Sequence, residues 1–165
     1  MTNENDIIEG EFVERAIVRA ETRSPFGTDD PVAIVERVSA VATPLADFIK
    51  ARGMTTRISG REYVMAEGWS FMGAMLGVSP IATRVSELRS ADGDLVGFEA
   101  HVELRMRDGS LVGGAVAECS RSEKSWRDRD DFALKSMAQT RATGKAYRLA
   151  FGFVMKAAGY EATPA

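Results

Sequence analysis

From Val96 to Met106 every second residue of the chain is apolar. Val96, Phe98, Ala100, Val102, Leu104 and Met106 alternate with Gly97, Glu99, His101, Glu103 and Arg105, and a period of two describes a strand with one buried and one wet face. Asp92-Gly93 precedes this run and Asp108-Gly109 follows it. Asp-Gly supplies the positive φ angles of tight hairpin turns. With Ile81 to Leu88 before and Leu111 to Ser120 after, the pattern predicts an antiparallel meander of three to four strands. One apolar face of such a sheet needs a cover.

The residues from Asp131 onward supply it. Ala138, Ala142, Ala146, Leu149, Phe153 and Ala157 fall on one side of a long helix, and the small residues among them allow close approach. The expected fold class is therefore α+β, a meander packed against a long C-terminal helix. Arg61 to Ala66 reads as a further short strand and Gly68 to Leu76 as a short helix, with Trp69 in the core. Between Asp30 and Gly53 the spacing of Val32, Val35, Val38, Ala42, Leu45, Phe48 and Ile49 is helical. Pro44 interrupts it, with Thr43 as a cap for a second helix, so the expectation is a kink or two consecutive helices. Residues 1–10 are polar and read as a flexible arm, while Glu11 to Thr22 fits a short helix and a strand equally.

The same C-terminal helix carries an unusual charge. Between Phe132 and Tyr160 there is no acidic residue, whereas Lys135, Arg141, Lys145, Arg148 and Lys156 give a local charge of +5 in a chain of net charge −3. Arg141, Lys145 and Arg148 stand at i, i+4 and i+7, on one side of the helix. A solvated helix usually mixes signs, since opposite charges at i, i+4 stabilise it by roughly 0.2–0.5 kcal/mol per pair. A cationic stripe without acids is suited to meeting negative charge. The acidic whole argues against blanket coating of nucleic acid but not against a local groove.

Other chemistries are excluded by what the chain lacks. His101 is the one histidine and sits between two glutamates on the wet side of the strand, so no Ser-His-Asp or Cys-His site assembles around it. Cys119 is the one cysteine, which removes zinc spacing and an internal disulfide and makes a reducing cytoplasm the expected compartment. Thr143-Gly144-Lys145 has Gln139 and Ala146 where a phosphate-binding loop requires glycine and Ser or Thr. No apolar run reaches the roughly 18 residues of a membrane span. No catalytic residue, cofactor or metal is expected. The 165 residues, 45% of them hydrophobic, fit a single domain without repeats.

Taken in order, a short strand, Glu67-Gly68-Trp69 opening a helix, a meander with an Arg107-Asp108-Gly109 turn, and Ala138 to Phe153 (Ala-Gln-Thr-Arg-Ala-Thr-Gly-Lys-Ala-Tyr-Arg-Leu-Ala-Phe-Gly-Phe), the chain resembles the Rad52-like family of single-strand annealing proteins, which includes recombination proteins of bacteriophages. The resemblance covers about Arg57 to Tyr160. It implies an annealing core over residues 57–160 and a ring or open helical homo-oligomer whose basic helices and hairpins form one groove for single-stranded DNA. Annealing would then need no nucleotide hydrolysis. Arg148 falls where the family places a basic DNA contact, and Lys145 and Arg141 lie on its side. Tyr147 and Phe151 depart from the family, whose better known members tend to be basic there.

Further candidates for DNA contact are Arg57 and Arg61, beside Tyr63, and Lys124 and Arg127, beside Trp126 in the loop before the helix. Lys135 completes the set. Trp126 could instead anchor that loop, with Arg127 and Arg129 paired to Asp128, Asp130 or Asp131. Phe12, Ile17 and the Pro44 helices are the expected subunit contacts. A recombination exonuclease or a host single-stranded DNA-binding protein would be further partners, in a bacterial host cell if the chain is phage-encoded. The alternative without DNA is an adaptor whose basic helix docks an acidic partner. An enzyme using Glu99 and Glu103 would require a deep pocket enclosing both carboxylates.

Overall fold

The computed structural model describes residues 24–58 and 60–161. They form, in order, α1 (Pro31–Ala51), β1 (Thr55–Ile58), β2 (Arg61–Val64), α2 (Ala66–Met75), β3 (Val78–Arg89), β4 (Leu95–Met106), β5 (Leu111–Ser120) and α3 (Asp131–Ala157). The architecture is α+β with two antiparallel sheets, the hairpin β1-β2 and the meander β3-β4-β5. The expectations for residues 1–10 and Glu11 to Thr22, and the contacts assigned to Phe12 and Ile17, lie outside the described residues.

The alternation in β4 places Phe98, Ala100, Val102 and Leu104 in the core, with Ala100 opposite Val85 of β3 and Ala117 of β5. Each turn of the meander has a three-residue loop. Ser90 and Asp94 bracket the first, the Ser90 amide donating to Asp94 at 2.9 Å and the Gly93 amide to Ser90 at 3.0 Å. Met106, Gly109 and Ser110 repeat the pattern, with both bonds at 2.9 Å. Gly93 and Gly109 hold φ of 91° and 87°, the left-handed position that ends a three-residue hairpin loop.

Both turns are built from one short repeat, where a chain without repeats is expected. Glu-Leu-Arg-x-x-Asp-Gly occurs at residues 87–93 and again at 103–109. Arg89 pairs with Glu87 (2.6 Å) and donates to the Gly93 carbonyl at 2.7 Å. Arg105 pairs with Glu103 (2.6 Å) and donates to the Gly109 carbonyl at 2.7 Å. One arginine thus ties each strand end to its turn.

Three expectations are refined. First, two consecutive helices do not form around Pro44: α1 runs through it as one helix. Asp30 caps it, accepting from the Val32 amide at 3.1 Å, and Ala42, Leu45 and Ile49 pin it to the core. Pro44 and Ala40 are both on the exposed side, so the Ala40 carbonyl left without an amide partner faces water. Second, the short strand expected from Arg61 to Ala66 forms as Arg61–Val64, with Ala66 opening α2 instead, and the strand Thr55–Ile58, which is not expected, pairs with it across a turn at Gly60, whose φ is 81°. Four residues are too few to show a period.

Third, α3 does not bury one continuous side. Leu134, Ala138, Ala142 and Ala146 face the core at four-residue spacing, after which burial passes to Tyr147, Phe151, Val154 and Met155. Leu149 and Phe153 are 69% and 51% exposed, and Ala157 is exposed as well. Continuing by fours from Ala146 reaches the half-buried Ala150 and the buried Val154, whereas the step of three from Ala146 to Leu149 puts Leu149, Phe153 and Ala157 about 100° to one side of that line. The second half of α3 is held instead by α1, α2 and the loop before α1. The Tyr147 hydroxyl donates to the Val78 carbonyl at 3.2 Å, its ring fills the space a side chain at Gly73 would need, and Phe26 meets Phe151 edge-on. Phe151 leaves helical angles (φ −134°, ψ 18°) at this point.

Candidate nucleic-acid interface

The free edge of the meander decides what two of the three stripe cations do. Thr83 Oγ1 donates to the His101 carbonyl at 3.4 Å, which places that carbonyl on the β3 side of β4. The Val96 carbonyl accepts from Arg121, beyond the end of β5, at 2.8 Å, so carbonyls alternate along β4 between β3 and β5. His101 and Glu99 therefore face Val116 and Glu118 without exchanging hydrogen bonds. Val116 and Glu118 turn their own carbonyls off the open edge of β5.

Lys145 Nζ donates to the Val116 carbonyl at 3.1 Å and Arg141 Nη1 to the Glu118 carbonyl at 2.9 Å. Together they close an edge that would otherwise offer unpaired acceptors. Arg141 is further engaged. Its guanidinium grips the Glu123 carboxylate through two bonds of 2.6 Å and lies 5.8 Å from the centre of the Trp126 ring. The pairing holds the Glu123 carboxyl down at about 2 and raises the pKa of Arg141 itself. The anion that Arg141 meets is inside its own chain.

Arg148 differs. It is partly buried, and among the described residues no carboxylate, carbonyl or ring faces its guanidinium. Burial alone pushes its pKa down from the ordinary arginine value. It folds over Gly144, with Nη1 3.7 Å from where a Cβ would stand. Lys145 adds an exposed ammonium on the same side, one turn earlier, and keeps donors free beyond its single bond to Val116.

The remaining candidates are dispersed. Arg57 stands opposite Glu62, and Arg61 opposite Ile58, so the two arginines lie on opposite faces of the hairpin and do not form one wall. Tyr63 beside them is buried and bridges to Glu161, which removes it as a stacking surface. Lys124, Arg127 and Lys135 are exposed. Lys135 stands nearly three turns before Lys145 along α3. Trp126 packs against the core, and the loop around it is clamped by Arg121, which bonds the carbonyls of Arg127 (3.1 Å) and Arg129 (2.7 Å) and pairs with Asp131. Asp131 is thus the partner of Arg121, not of Arg127 or Arg129. Tyr147 and Phe151, the two departures from the family pattern, are core residues at 1% and 2% exposure.

The acids of the wet sheet face are neutralised locally. Glu99 lies 2.8 Å from His101 Nε2, which is 2.6 Å from Arg84, and Glu103 is held by Arg105. The groove beside them, between Thr83, His101, Glu103 and Val116, lies along the strand surface and does not enclose both carboxylates. Cys119 is fully buried, and burial pushes its thiol up, away from nucleophilic chemistry. Among the described residues no three His, Cys, Asp or Glu side chains group to hold a metal ion, and no helix is long and apolar enough to cross a membrane.

Arg141 could have been separated from Arg148 only by foreseeing that Glu123, 18 residues away, folds back onto the helix. No family model, curated protein or solved structure matches the chain.

Proposed function

We propose that this chain binds single-stranded DNA along the outer side of α3 and, as a homo-oligomer of Rad52-like subunits, anneals complementary strands without nucleotide hydrolysis. The observation that carries the reading is Arg148, a partly buried cation that meets no anion among the described residues, in a 29-residue stretch without a single acid. A charge withdrawn from water and left uncompensated is costly. A phosphate supplies the missing partner, and binding then gains from an interaction the free protein lacks. Lys145 extends the contact. Arg141 supports the same surface from beneath, by fixing α3 to the sheet edge.

The test is an annealing assay with two complementary labelled oligonucleotides, without nucleotide, across a salt series, with particle size measured in parallel. Expected are faster strand pairing than in buffer alone, affinity that falls steeply with salt, and particles larger than one chain. Reversing the charge of Arg148 and Lys145 together abolishes binding while the far-ultraviolet spectrum stays intact. Failure to bind an oligonucleotide at low salt overturns the reading in favour of an adaptor for an acidic protein.

A further inference from the structure

We infer that the exposed apolar pair Leu149 and Phe153 is a platform for unpaired nucleobases, set beside the cations that hold the phosphates. The inference rests on the single-stranded DNA reading of the same helix and adds which part of the ligand each side chain meets.

The solvent side of the second half of α3 reads Lys145, Arg148, Leu149, Gly152, Phe153 and Lys156. These positions, i, i+3, i+4, i+7, i+8 and i+11, make one face of a helix. An ordinary solvated face would carry polar residues where this one carries leucine and phenylalanine, at 69% and 51% exposure. Phe153 is also braced. The Phe26 ring stands 6.0 Å from it, tilted by 49°, and Phe26 in turn rests against the buried Phe151. A ring held from behind and open in front loses little freedom when another ring stacks on it.

Charge identifies the occupant. A second apolar protein surface would not need this patch to be framed by Lys145, Arg148 and Lys156 with no acid among them, Lys156 finding its carboxylate only at Glu161, beyond the helix. A single strand of DNA offers both halves of the match, a phosphate at each step and a π face on each base, and stacking of that kind tolerates any sequence. Duplex DNA keeps its bases stacked and offers the phosphates alone.

The experiment compares a thymidine oligonucleotide with an abasic oligonucleotide of the same length, using the full chain and the variants Phe153→Ala, Phe153→Tyr and Leu149→Ala, with thermal unfolding checked for each. The expected result is a preference of about tenfold or more for the base-bearing strand. Phe153→Ala and Leu149→Ala each shrink that preference without changing affinity for the abasic strand, and Phe153→Tyr keeps it. Equal binding of both oligonucleotides by the unaltered chain, or an equal loss on both in the alanine variants, overturns the inference while the DNA reading stands. So does a change in particle size in the alanine variants with base preference retained, which would assign the patch to a second copy of the chain. Absence of binding to either strand overturns both.

Discussion

Arg141 and Glu123 meet through two parallel hydrogen bonds of 2.6 Å, joining the middle of α3 to the loop that leaves β5. The pair is partly open to solvent, and its carboxyl is held at about 2, below the ordinary 4.5, chiefly by the hydrogen bond from Arg141. A depressed carboxyl stabilises the fold fully above its unfolded value and loses that contribution as pH falls through the folded one. Thermal stability is therefore expected to decline between about pH 4.5 and pH 2 in the native chain. In Glu123→Gln this part of the decline disappears, and a pH series of melting curves on both proteins checks it.

The same pair can be weighed by a double-mutant cycle. Arg141→Ala removes the Glu123 contact, the bond to the Glu118 carbonyl and the packing on Trp126 at once, so it is expected to cost about 2 kcal/mol. Glu123→Ala removes one of these. Coupling between the two substitutions is expected near 1 kcal/mol, the range of a bidentate pair screened by solvent. Denaturant unfolding of the four proteins measures it. A coupling near zero would return Arg141 to the set of cations available for an external anion.

Much of this fold is legible in the chain, and what is not has a physical cause. The β4 alternation works as a signal because one face of the strand is core and the other wet along its whole length. Its flanking Asp-Gly turns are visible for the same reason that they are needed, since glycine accepts the left-handed backbone there. Periodicity fails on α3, whose neighbours change side along its length. Leu149 and Phe153 follow the alanine series after a step of three, yet the core at that level contains Tyr147, Phe151, Val154 and Met155. The stripe Arg141, Lys145 and Arg148 is legible as a stripe, but not its division of labour. Which cation has an internal anion depends on a loop contact that local spacing does not contain.

Gly73 is where α2 admits Tyr147. A Cβ there would stand 2.6 Å from Tyr147 Cζ, too close for either element to hold its place. Gly73→Ala is expected to destabilise by about 2 kcal/mol through overpacking. Tyr147→Phe, which keeps the ring and deletes only the donor to Val78, should cost about 1 kcal/mol. Chemical denaturation compares the two, and a smaller cost for the glycine variant would mean that α2 is free to shift.

Both turns of the meander hang on an arginine two residues after a glutamate and four before a glycine. Gly109→Ala forces a side chain into φ of 87° and is expected to cost about 1 kcal/mol. Arg105→Ala leaves the turn's backbone bonds in place and removes only the tie to the Gly109 carbonyl and the pair with Glu103. Amide hydrogen exchange should then quicken at Met106 and Ser110 and stay unchanged at Ser90 and Asp94 of the sister turn.

Salt dependence distinguishes a cation that meets phosphate from one that merely maintains the surface. Each phosphate contact adds close to one unit to the slope of log affinity against log salt, somewhat less, roughly 0.7, on a single strand. Arg148→Met is expected to lower affinity for a single-stranded oligonucleotide and to reduce that slope by about 0.7. Arg141→Met should act differently, because its guanidinium already has Glu123. Affinity falls to the extent that α3 loosens from β5, and the slope is unchanged. Equal slopes in the native and Arg148→Met proteins would mean that its guanidinium, though unpaired among the described residues, does not release a counterion on binding, and would remove it from the interface.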